Sequence, residues 1–195
     1  MASNKTSIFF YSLVIATVAE FLGLFYWVKF VDNGLLMLGI AIITVGLLAE
    51  RISVYLLIHA VWGPTPPHKK LILNLFFAGM GETVAWLVWL FLADGPLGRL
   101  LASALLAVVL LFEHSIQIGF FMQSSYFKHV TDPMTIVFSA LEGVVAFFWL
   151  YFVRTDHAFW GAVVLFVGLT IEHIIQGSVI GTEKPIVTSP SAQHK

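Results

Sequence analysis

Two dipeptides carry the residue types that chemistry would use: Glu113-His114 and Glu172-His173. Each glutamate has a glutamine four residues on, Gln117 and Gln176, so on a helix each pair shares a face. A third version, Glu50-Arg51, has arginine in the histidine's place. All three sit inside long apolar runs. An ionisable side chain there is costly to place and marks a functional site. Three further runs carry Glu20, Glu82 and Glu142, which makes one mid-run glutamate in each of six. Carboxylates and imidazoles without thiolates suit a transition metal, with iron, manganese, zinc and copper not distinguished.

Six carboxylates buried side by side cannot all stay ionised without counter-charge, because desolvation and mutual repulsion both favour the neutral acid. The leading expectation is therefore an intramembrane metal site. Its ligands would be Glu82, Glu113, His114, Glu142, Glu172 and His173, with Glu20, Glu50, Arg51, Gln117 and Gln176 supplying charge balance and hydrogen bonds. Four glutamates and two histidines are the ligand inventory of carboxylate-bridged two-metal bundles, although those use Glu-x-x-His rather than Glu-His. Such a centre would suit a non-haem oxidoreductase acting on a lipid-soluble substrate or on oxygen.

Three other readings compete. Mid-membrane acids also mark proton or cation pathways. His114 and His173 could be axial haem ligands, the less favoured cofactor given so many carboxylates. The acids could also serve as interhelical hydrogen-bonding groups in a structural subunit of a larger membrane complex.

The elements that must position these residues are helices. The chain has 195 residues, of which 59% are hydrophobic and only 11% charged, with a mean hydropathy of +0.93. Six apolar stretches, near Ile8–Phe30, Leu35–Val61, Leu71–Leu92, Leu97–Met122, Met134–Val153 and Ala158–Ile180, each approach or exceed the length of about 20 residues that crosses hydrocarbon. The runs are continuous rather than alternating, which argues for helices over a barrel. The fold expected is an all-α polytopic membrane protein. Met1–Thr6 is short, polar and followed by a long apolar run, so a first span is expected rather than a removed signal peptide.

The spans group into three hairpins in step with one another. The first glutamates, Glu20, Glu82 and Glu142, are 62 and 60 residues apart, and the second, Glu50, Glu113 and Glu172, are 63 and 59 apart. Tryptophan follows each first glutamate by seven residues, at Trp27, Trp89 and Trp149, and these indoles are expected to line the interior pocket. Aspartate recurs in the hairpin turns at Asp32, Asp94 and Asp156, where an N-capping role is expected. Three parallel repeats are expected around a polar interior, at about 8–62, 70–123 and 134–181. They form one domain over 1–181 and leave a polar, disordered tail over 182–195.

Lys5, Lys69, Lys70, Lys128, Lys184 and Lys195 fall on one side of the membrane against Lys29, Arg99 and Arg154 on the other. That bias places both termini in the cytoplasm, in a plasma or inner membrane. His59 and His68, near the second span's end, are expected to be solvated. The partners expected are the bilayer and other membrane subunits. Net charge near zero suggests no nucleic acid, and with no Walker A or Gly-x-Gly-x-x-Gly motif no nucleotide cofactor is implied.

Overall fold

A computed structural model describes residues 2–62, 68–121 and 126–182. Met122, the Gly63–Pro67 loop and the tail beyond Thr182 lie outside the described residues, as do the side chains of Lys5, His59, His68, Lys69 and Lys70. The described residues are helical, with no strand among them. The helices are α1 (Ala2–Asp32), α2 (Leu36–Trp62), α3 (His68–Leu92), α4 (Gly95–Phe121), α5 (Tyr126–Val130), α6 (Pro133–Arg154) and α7 (Ala158–Thr182). Among the described residues, α1, α2, α4, α6 and α7 are long and apolar enough to cross a membrane, and α3 contributes a shorter apolar segment, Phe76–Leu92.

The six long helices close into a ring. α1 packs on α2, α2 on α3, α3 on α4, α4 on α6, α6 on α7, and α7 returns to α1. The ring is inverted relative to a soluble protein. Met37, Val45, Phe77, Phe91, Leu97 and Phe159 are exposed on its outer face, whereas Glu20, Glu50, Glu82, Glu142, Glu172, Arg51, His114 and His173 are buried within it. Chain that must satisfy its backbone without water takes this form, with apolar side chains to lipid and polar groups meeting one another inside.

Local sequence explains the turns. At the end of α1, Gly34 adopts φ +77°, with Gly34 N–H donating to Val31 O and Leu35 N–H to Phe30 O. This Schellman pair closes the last carbonyls. The end of α6 repeats the longer of the two bonds, His157 N–H to Phe152 O at 2.9 Å, around Asp156 at φ 61°. Asp32 is the last residue of α1 and Asp156 follows α6, so neither occupies the N-cap position of the next helix. Asp94 does directly precede α4, and Asp132, ahead of Pro133, caps α6 by accepting from Thr135 N–H at 3.0 Å. Arg154 links the three hairpin ends, donating to Ala93 O at 3.2 Å and lying 3.7 Å from Asp32.

Close approach is built in at glycine. A Cβ on Gly46 would lie 2.7 Å from Gly23 Cα, which fixes α2 against α1 backbone to backbone. In the third hairpin Gly168 faces Val145 at the corresponding crossing of α7 on α6.

Candidate metal centre

Glu20, Glu82 and Glu142 lie on α1, α3 and α6, the ascending arms of the three hairpins, and one oxygen of each falls within 4.8 Å of the others. They meet at the middle of the ring. Around them stand Arg51 on α2, His114 on α4 and His173 on α7, and each of these faces three carboxylates in the same relation.

Arg51 Nε lies 3.0 Å from Glu50, the residue before it. Its Nη2 reaches Glu82 at 2.5 Å and Glu113 at 3.3 Å, the first and second glutamates of the next hairpin. His114 Nε2 lies 3.6 Å from Glu113 and its Nδ1 3.7 Å from Glu142. His114, Glu142 and Glu172 also offer ligand atoms within 4.8 Å of one another. His173 Nε2 lies 3.6 Å from Glu20 and 3.7 Å from Glu50, and a group within 4.8 Å joins His173, Glu172 and Glu20. In all three cases the partners are the preceding glutamate and the two glutamates of the next hairpin around the ring.

The chemistry of the corners differs. At Arg51 the contacts are hydrogen bonds and ion pairs, extended by Nη1 donating to Gln117 Oε1 at 2.8 Å and by Gln117 Nε2 donating to Glu113. At the histidines the separations from carboxylate of 3.6 and 3.7 Å are too long for hydrogen bonds. They suit two donors each about 2.0–2.2 Å from one ion. Glu142 Oε2, Glu172 Oε2 and His173 Nε2 are buried and take part in no hydrogen bond. Such atoms are expensive in a low-dielectric interior, and a cation resolves them.

The Nδ1 of each histidine meets a hydroxyl, opposite the carboxylate-facing nitrogen at His173 and on the Glu142-facing nitrogen itself at His114. His173 Nδ1 lies 2.8 Å from Leu169 O and 3.2 Å from Thr17 Oγ1. A carbonyl only accepts, so Nδ1 carries a proton, and Nε2 is the nitrogen left on the carboxylate side, toward Glu20. Thr17 in turn donates to Leu13 O. His114 Nδ1 pairs with Ser139 Oγ at 3.0 Å and its ring meets Phe138 edge-on at 4.6 Å.

The site residues expected from the sequence are distributed as follows. Glu82, Glu142, Glu172, His114 and His173 belong to the metal-capable groups together with Glu20. Glu113 lies on the Arg51–Gln117 side, with its side chain 12% exposed against 2% for Glu82. Gln176 Oε1 is buried without a hydrogen bond. Thr17 and Ser139 were not singled out by sequence, yet each stands three residues ahead of a first glutamate, at Glu20 and Glu142. The corresponding residue ahead of Glu82 is Gly79, beside the corner that holds the bulkier guanidinium.

Toward the hairpin turns the interior is closed by indoles. Trp27, Trp89 and Trp149 are joined by Trp86, with ring centroids 5.3 Å apart for Trp86–Trp89 and 5.8 Å for the stacked Trp89–Trp149 pair. Trp86 Nε1 donates to Glu82 at 3.4 Å, which ties this layer to the carboxylates, and Trp89 Nε1 donates to Ser103. On the outer face, a groove of about 230 Å³ between α1 and α7 has Thr17 and His173 among its lining residues.

No protein-family model, curated protein or solved structure significantly matches the chain. The geometry alone therefore defines the class: a membrane-type helical protein whose buried glutamates and histidines are close enough to hold a metal ion.

Proposed function

We propose that this chain is a six-span membrane metalloprotein, built as three parallel hairpin repeats, that holds two transition-metal ions sharing one carboxylate. The carrying observation is that the two histidine-containing groups, His114–Glu142–Glu172 and Glu20–Glu172–His173, have Glu172 in common. One ion takes His114 and Glu142, the other His173 and Glu20, and Glu172 bridges. In this ligand set Glu20 stands where adjacency in the chain suggests Glu113, which is engaged by Arg51 and Gln117. The even placement of the Arg51, His114 and His173 corners supports the repeat.

Charge supports two ions. Two divalent cations and Arg51 carry five positive charges against six glutamates, which brings the buried layer within one charge of neutral. With oxygen and imidazole ligands only, iron or manganese fits best, and zinc or copper is accommodated. The activity this centre suits is redox chemistry on a lipid-soluble substrate or oxygen, and the α1–α7 groove beside His173 offers an approach from the bilayer. The indole layer across the hairpin end favours a closed site over a through-path for protons or cations.

The test is elemental analysis of protein purified gently in detergent without chelator. Near two equivalents of one transition metal per chain are expected. A metal-free chain that also fails to take up added iron, manganese, zinc or copper would overturn the reading.

A further inference from the structure

Arg51 occupies a corner built like the two histidine corners. Its partners are Glu50, Glu82 and Glu113. Those of His114 are Glu113, Glu142 and Glu172, and those of His173 are Glu172, Glu20 and Glu50. Each glutamate of the cluster is thus used by more than one corner or by the central triad, and no corner lacks its three acids. What distinguishes the α2–α3 corner is the residue that supplies the positive charge.

We propose that this corner is a third metal position of the same design, filled permanently by the Arg51 guanidinium, and that Arg51 thereby sets the metal content at two ions rather than three. The inference rests on the two-ion reading above. Two features beyond the acidic cluster carry it. First, the guanidinium sits where an ion would, with Nη2 shared between Glu82 at 2.5 Å and Glu113 at 3.3 Å. Second, the hydroxyl that meets each histidine's Nδ1, from Thr17 or Ser139, is replaced at this corner by Gly79. An imidazole takes a hydrogen-bond partner on Nδ1 to fix its orientation, whereas arginine is oriented by its own fork of donors. A hydroxyl is therefore not required here.

Charge points the same way. With Arg51 replaced by neutral histidine, three divalent ions would balance the six glutamates. The site also has room for the missing hydroxyl. A Cβ on Gly79 would meet only the Leu48 side chain, with Cδ2 at 3.0 Å and Cγ at 3.6 Å, and the end of a leucine can turn aside.

The experiment uses the full chain in detergent, equilibrated with Zn²⁺ alone and analysed for zinc per chain, with helix content checked by circular dichroism. The parent should bind two ions. The double variant Arg51→His/Gly79→Ser should bind three. The reciprocal variant His114→Arg/Ser139→Gly moves the guanidinium design to the α4–α6 corner and should bind one. Two ions in a folded Arg51→His/Gly79→Ser variant would overturn the inference while leaving the two-ion reading intact. If that variant does not fold, the reciprocal one decides, and two ions retained there would overturn it equally. Failure of both to fold would also refute interchangeable corners. A parent that binds no zinc or other transition metal removes the two-ion reading and this inference together.

Discussion

His173 Nε2 lies 3.6 Å from Glu20 Oε2, across the seam where the last helix of the chain meets the first. The contact closes the ring of helices, and behind it Leu169 O and Thr17 hold the opposite nitrogen. Removing the Thr17 hydroxyl should act on the metal and hardly on the fold. Thr17→Val is expected to weaken binding of the ion held by His173 by about 10–100-fold, the usual effect of deleting a ligand's supporting hydrogen bond. Competition with a graded series of chelators reads that change.

Glu172 is common to both histidine groups, whereas Glu142 and Glu20 each belong to one of them. Glu172→Gln is therefore expected to lower the content from two ions toward none. Glu142→Gln and Glu20→Gln should each retain about one. Equal metal content across the three variants, measured by elemental analysis, would contradict a bridging role for Glu172.

Arg51 faces Glu50, Glu82 and Glu113 at 3% exposure. Removing one partner of a buried ion pair leaves uncompensated charge, at a cost of about 3–5 kcal/mol. Arg51→Met should thus lower the thermal midpoint in detergent markedly, and the combination with Glu113→Gln should recover part of the loss because one fewer acid is left unpaired. A midpoint unchanged in Arg51→Met would mean that the guanidinium does not hold the α2–α3 junction.

The helices and the six acids could be read from the sequence because both are local signals: long apolar runs, and one glutamate in each. The run Leu71–Leu92 lies within the helix α3, His68–Leu92. Pairing within the site could not be read in the same way. Consecutive residues on a helix point about 100° apart, so His114 reaches Glu142 and Ser139 on the neighbouring helix as well as Glu113 on its own. Glu20 meets His173 only because the ring closes, and closure is a long-range property. The Thr17 and Ser139 hydroxyls did leave a trace, their shared place three residues ahead of a first glutamate. Serine and threonine are too frequent in spans for that trace to stand out without the histidines opposite.

Packing predictions separate the scaffold from the site. Gly46→Ala drives a methyl to 2.7 Å from Gly23 Cα, where backbone cannot yield, and should cost about 1–3 kcal/mol. Trp89→Ala removes an indole packed against Trp27, Trp86 and Trp149 and should cost about 3–5 kcal/mol. Both are read as lowered midpoints in detergent, with metal content per folded chain unchanged.

The central claim is a pair of ions bridged by Glu172, and X-ray absorption at the edge of the bound metal tests it most directly. The expected spectrum has a first shell of oxygen and nitrogen alone, at about 2.0–2.2 Å for zinc. A second metal should scatter from roughly 3.5–4 Å, and that feature should vanish in Glu142→Gln, which keeps about one ion. A bound metal with no metal neighbour in the parent protein would contradict the shared-carboxylate centre.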